Sequence, residues 1–216
     1  MGLVMVLSFI VQQTLTSRFN KYSKVPLDLS GAQISERMLR ENGIGDVKVG
    51  SIQGQLTDHF DPSKKQINLS ESVYAQHNIA AAAVAAHETG HAVQHARGYA
   101  PLRLRSALVP VVSFANNTVQ WVLLAGVLII QITPALLYAG IALFAMTTLF
   151  SFVTLPVEID ASRRAIAWLE KSGLTTYEAL PMAQDALKWA AYTYVIGALG
   201  SLATLFYYIG IASNRR

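Results

Sequence analysis

His87-Glu88-Thr89-Gly90-His91 is an H-E-x-x-H motif, and these residue types in this order hold most of what a hydrolytic zinc site needs. Residues four apart on an α-helix stand about 40° apart around the axis and one turn along it, so the His87 and His91 imidazoles converge on a single ion. Glu88 follows the first of them directly, which sets its carboxylate beside the metal's open position. There it can take a proton from bound water and later return it to a leaving amine. The chain contains no cysteine, so any metal must be held by imidazole and carboxylate.

The neighbouring residues predict the helix that the motif requires. Asn78 is a good N-cap, the alanine-rich 79–86 segment is strongly helix-forming, and Gly98 after Arg97 is a standard stop, so a helix is expected from Asn78 to Arg97. His95 falls at the next i+4 step but lacks the glycine-turned spacing that brings a third histidine to a metal. It reads as a last-turn histidine favoured by the helix dipole. The five-residue motif also falls by chance on solvated helix faces, so a third ligand has to be found elsewhere in the chain.

Composition says where such a site sits. Of the 216 residues 52% are hydrophobic and only 14% charged, which is low for a soluble domain and points to a membrane protein. The charges are also segregated: no Asp, Glu, Lys, Arg or His occurs from Ser106 to Val157, or from Trp189 to Asn214. A crossing helix takes about 20 apolar residues, so Ser106 to Val157, broken at Gln131-Ile132-Thr133-Pro134, accommodates a hairpin of two helices. Ala190 to Ala212 supplies another, and the shorter run Gly2 to Thr16 a further one. That run has no basic residue ahead of it and no small-residue cleavage site, so it reads as a retained anchor.

The expected fold is thus a mainly α membrane protein with about four transmembrane helices and a small cytoplasmic α/β metallopeptidase insertion. Transmembrane helix 1 takes 1–17, the cytoplasmic α/β region with the H-E-x-x-H helix 18–105, and the transmembrane hairpin 106–155. A cytoplasmic helical segment with the third ligand takes 156–188 and the last transmembrane helix 189–213. Asn116, Asn117 and Gln120 inside the second span read as helix–helix hydrogen-bonding groups on a face that avoids lipid.

Lys and Arg crowd the regions around Arg18, Lys21, Lys24, Arg97, Arg103 and Arg105, and again around Arg163, Arg164 and Lys171. By the positive-inside rule both regions are cytoplasmic, in a multi-pass protein of the plasma (inner) membrane whose active site faces the cytoplasm. Arg215 and Arg216 run against this scheme by falling outside. The net charge of +4 follows from topology, and no aromatic-basic stripe suggests nucleic-acid binding.

Acidic residues after the hairpin are few, and Glu158 stands out among them. It follows Pro156, expected at the N1 position of a new helix at the cytoplasmic end of span three. A glutamate in a first helical turn is also favoured there by the dipole alone. Ligands of one ion must lie on one side of the membrane, however, and the charge-free hairpin returns the chain to the side of His91.

At this point the chain resembles the YugP-type neutral membrane zinc metallopeptidases, and more distantly the HtpX and CAAX prenyl protease group. The resemblance is carried by Asn20-Lys21-Tyr22-Ser23, by Gly54-Gln55-Leu56-Thr57-Asp58-His59-Phe60-Asp61-Pro62, by His87 to His95, and by Leu155 to Ala165. It implies a gluzincin-like Zn²⁺ site with His87, His91 and Glu158 as ligands, Glu88 as base and acid, and water in the fourth position. Relatives of the HtpX kind have an Asp four residues after the ligand Glu; here Ser162 stands there and Asp160 two residues after Glu158. Either could support the ligands from behind, with Asp160 preferred.

The 18–105 region predicts a helix from about Ser30 to Asn42 stopped by Gly43, a strand over Val47 to Ile52, and a strand over Gln66 to Leu69. Gln66 to Leu69 is the expected sheet edge for an extended substrate backbone. His59 has two readings: a donor to the oxyanion of a tetrahedral intermediate, which the resemblance favours, or a surface-loop histidine. His77, ahead of the helix cap, has no chemical task in this reading.

The expected function is a zinc endopeptidase acting on a peptide or protein substrate from within the lipid bilayer, with a membrane-protein partner or homo-oligomer as further possible company. The competing reading is a membrane scaffold or regulatory partner with a structural or occluded zinc, which a fourth protein ligand such as His95 or His59 would favour. A transporter fits poorly, because no ionisable side chain lies inside the expected spans.

Overall fold

The computed structural model describes residues 2–213. In chain order the elements are α1 (Gly2–Tyr22), α2 (Gly31–Glu41), β1 (Lys48–Ile52), β2 (His59–Asp61), β3 (Gln66–Ser70), α3 (Glu71–Tyr74), α4 (Ile79–Ala96), α5 (Ala100–Leu128), α6 (Ala135–Ser172) and α7 (Ala179–Ser213). Arg215 and Arg216, which bear on orientation, lie outside the described residues.

Local chemistry explains α2 and α4. Ser30 and Gln33 close a capping box at the start of α2, which turns Ile34, Met38 and Leu39 into the interior. Asn78 accepts the Ala81 N–H at 2.9 Å to start α4, whose alanines are small enough to let other elements pack on every side. The core joins α2, β3 and α4 to the C-terminal part of α6 and the N-terminal part of α7 through Ile34, Leu69, Ile79, Trp168, Leu169 and Leu187. The metal helix is therefore buried among the others.

The sheet order is β1-β3-β2, with β1 parallel and β2 antiparallel to β3. This corrects one expectation: Gln66 to Leu69 lies in the central strand, hydrogen-bonded on both sides, and its Ile67 and Leu69 are fully buried. The free edge on the metal-helix side belongs to β2, a strand too short to show alternation in the sequence.

Three helices are long and apolar enough to cross a membrane, namely α5, α6 and α7, and α1 is not among them. They expose Phe114, Trp121, Leu128, Leu149 and Phe206 outward, as lipid as a solvent allows. The α5–α6 hairpin is tight: a Cβ at Gly126 would stand 2.7 Å from the Leu137 Cα, so only glycine admits this approach. Helix α1 runs antiparallel to α7, with the Tyr22 hydroxyl donating to Asp185 at 2.6 Å at one end and Val4 against Gly200 at the other.

Two further expectations change. Pro156 starts no helix; it lies inside the continuous α6, where packing against neighbouring helices offsets the one missing N–H. Asn116, Asn117 and Gln120 face outward and make no side-chain hydrogen bond among the described residues. A polar contact between apolar helices is made instead by Thr148 of α6 and Ser201 of α7, at 2.7 Å.

Candidate metal centre

Helices α4 and α6 cross at Gly90, where a Cβ would meet the Ala161 carbonyl oxygen at 2.6 Å. That close crossing brings Glu158 of α6 over the two histidines of α4. Its Oε2 lies 3.2 Å from His87 Nε2 and 3.5 Å from His91 Nε2. One donor atom from each of the three residues falls within 4.8 Å of the others. Zinc bonds of about 2.0–2.1 Å at tetrahedral angles require donors roughly 3.4 Å apart, so the set fits that ion.

The far side of each ring is also committed. Ser162 Oγ stands 3.1 Å from His87 Nδ1, and Gln94 Oε1 stands 3.1 Å from His91 Nδ1. Gln94 is fully buried, and its Nε2 donates to the Val157 carbonyl and to Asp160 Oδ2, both at 2.8 Å. With its amide nitrogen so engaged, only its oxygen can face His91, which must then carry its proton on Nδ1 and offer the Nε2 lone pair to a metal. Asp160 thus reaches His91 through Gln94, while Arg164 holds the same carboxylate at 2.6 Å.

Glu158 is 2% exposed, and Arg105 donates to its Oε1 at 3.1 Å, leaving Oε2 to face the imidazoles. Burial pushes the His91 pKa down, but the hydrogen bond to Glu158 and the charge of Glu88 outweigh it and hold the imidazole above its ordinary value. The cluster is built to concentrate negative charge where a cation would sit.

Glu88 lies beside this cluster, lining a cavity of about 220 Å³ together with His91, Glu158, Tyr194 and the β2 residues His59 and Phe60. His59 is exposed; its Nδ1 meets the Thr57 carbonyl at 2.8 Å and its Nε2 the Asn68 amide at 3.1 Å, so it borders the cavity without joining the metal cluster. Asp58 fixes the same loop by accepting from the Ser70 backbone at 2.7 Å. The His95 ring meets Phe60 at 5.7 Å, tilted by 56°, and His77 bonds the Asp28 carbonyl, both away from the three donors. Gln94, Arg105 and Tyr194 are the site residues that sequence reasoning missed. Gln94 had a readable signal, lying three residues after His91 on the same helix face.

Fold and donor set together define a mainly helical protein with three helices apolar enough to cross a membrane and a His/His/Glu group that could hold a metal ion. Residues 1–213 match the family described as "Putative neutral zinc metallopeptidase", and the chain belongs to that family, whose metal is zinc. It is similar to the protein named "Putative membrane protease YugP" of Bacillus subtilis (strain 168), at 40% identity over 212 residues, 97% of this chain and 93% of that one. No solved structure matches it.

Proposed function

We propose that the protein is a membrane-embedded zinc endopeptidase with His87, His91 and Glu158 as ligands and Glu88 as general base. The observation that carries this reading is the convergence of three donor atoms beside the Glu88 cavity, with both Nδ1 atoms already engaged elsewhere. Zinc bound there supplies Lewis acidity, lowering the pKa of a water and polarising a carbonyl. Glu88 takes the proton of the attacking water and delivers it to the departing amine nitrogen. An extended substrate backbone pairs with the free edge of β2, which places its carbonyl over α4. Tyr194, which lines the same cavity, is placed to donate toward the developing oxyanion, and His59 beside it joins only on releasing Thr57 or Asn68, its present partners.

The bilayer surrounds α5, α6 and α7, with α1 as a fourth membrane helix entering beside α7. The positive-inside distribution puts the metal centre at the cytoplasmic surface of the plasma membrane. The scaffold reading would be favoured by a closed metal or a fourth protein ligand; against it stand the cavity that Glu88, His91 and Glu158 line and the placement of His59 and His95 outside the three-donor group. The test is Glu88→Gln in the zinc-loaded protein: zinc content stays at one per chain while cleavage of an unstructured protein substrate falls by about 10²–10⁴-fold. Undiminished cleavage by that variant overturns the mechanism.

A further inference from the structure

The outward-facing amides of α5 have no partner among the described residues, yet they sit where an unpartnered amide is costly. Asn116 and Gln120 lie ten and more residues inside the charge-free segment that begins at Ser106, which is about 15 Å into the apolar layer at the helical rise of about 1.5 Å per residue. All three of Asn116, Asn117 and Gln120 are exposed. Thr147, Ser151 and Thr154 of α6 each donate to a carbonyl of their own helix and make no bond to these amides.

Their position around the helix is specific. Leu102, Arg105, Ser106 and Val109 of α5 line the metal-centre cavity. Steps of four, three and four residues from Val109 lead to Ser113, Asn116 and Gln120, so these continue the same helix face downward from the cavity. The face that packs on α6 is a different one, marked by the buried Val112, Ala115, Val119 and Leu123. The wall of the catalytic cavity thus runs without interruption into a neutral polar track on the membrane side of α5. Val109 itself is 44% exposed, so nothing among the described residues closes the junction.

The geometry points to a lateral substrate track: a membrane-inserted segment of the substrate polypeptide lies along Asn116 and Gln120 and leads its juxtamembrane peptide bond up to the metal. This deepens the peptidase reading and rests on it. The occupant follows from continuity with the cavity and from the chemistry of the track. Carboxamides both donate and accept, and they carry no charge, so they suit the polar side chains and spare carbonyl lone pairs of a membrane-inserted polypeptide segment. An acyl chain offers these amides nothing to bond.

The absence of cysteine makes the test clean. In the zinc-loaded Glu88→Gln protein in nanodiscs, Asn116→Cys and Gln120→Cys are presented with a probe helix of about 20 apolar residues bearing one mid-membrane cysteine and a flexible polar tail. Under a mild copper–phenanthroline oxidant both positions form the disulfide with the probe much faster than Phe114→Cys and Trp121→Cys, which lie within about 3 Å of the depths of Asn116 and Gln120 on another exposed face. In the active protein, Asn116→Leu and Gln120→Leu each lower kcat/KM on the membrane probe by about three- to tenfold, and lower it less on the detached tail peptide. Equal trapping at Phe114→Cys overturns the track, as does an equal loss on the detached tail. Disulfide dimers at Asn116→Cys formed without probe assign the face to a second copy and also overturn it. Failure of the wild type to cleave any substrate would sink the peptidase reading instead, while the trapping pattern still reports on the track.

Discussion

Replacing Gln94 by leucine removes the one side chain that commits His91 to a single tautomer, and the structure sets the size of the effect. Of the groups Gln94 touches, Asp160 keeps Arg164 at 2.6 Å and Val157 stays within the continuous helix α6. Only His91 Nδ1 is left without its partner at a buried position. One orphaned buried group costs about 1–3 kcal/mol of stability. Loss of a supporting hydrogen bond behind a ligand histidine costs about 10–100-fold in metal affinity, or about 1.4–2.7 kcal/mol. The assay is a competitive zinc titration against a chromogenic chelator, run beside thermal melting of the metal-free protein. Gln94→Glu separates the two effects. A carboxylate there still accepts from His91 Nδ1, but it cannot donate to Asp160 Oδ2, which the present amide nitrogen meets at 2.8 Å. Gln94→Glu should therefore lose more melting temperature than zinc affinity, and Gln94→Leu should lose both. Zinc affinity within about twofold of wild type for Gln94→Leu would refute the tautomer argument.

Gly90→Ala should destabilise the protein by about 1–3 kcal/mol and weaken zinc binding, because the new methyl forces apart the two helices that carry the ligands. Chemical denaturation and the same zinc titration measure both effects, and a variant unchanged in each would show that the 2.6 Å approach to Ala161 has no energetic weight. Topology is testable with Gln131→Cys in the α5–α6 turn and Tyr177→Cys in the α6–α7 connection. A membrane-impermeant maleimide applied to intact cells should label the first only, and labelling of both from outside contradicts a cytoplasmic metal centre.

Much of this site was legible because its chemistry is local in sequence. Asn78, the alanine run and Gly98 bracket α4 almost to the residue, and the i, i+4 histidines need only that helix. Glu158 was reachable through the charge-free hairpin, since an uncharged stretch of that length returns the chain to its starting side. What escaped depends on tertiary placement. The central position of β3 is a matter of strand order, which alternation within a strand does not encode. Pro156 carries a strong local signal for a helix start, and here the surrounding bundle overrides it. Arg105 reads in sequence only as a topogenic charge, and its bond to Glu158 depends on how α5 leaves the metal helix. The outward face of Asn116 and Gln120 depends in the same way on which side of α5 meets α6.

X-ray absorption at the zinc edge of the purified wild-type protein and of Glu158→Ala addresses the ligand set most directly. The wild type should hold one zinc per chain with two imidazoles and oxygen donors at about 2.0–2.2 Å. Glu158→Ala should lose carboxylate coordination and bind zinc far more weakly. A third imidazole in the wild-type spectrum, or an unchanged metal environment in Glu158→Ala, would contradict a centre shared between α4 and α6.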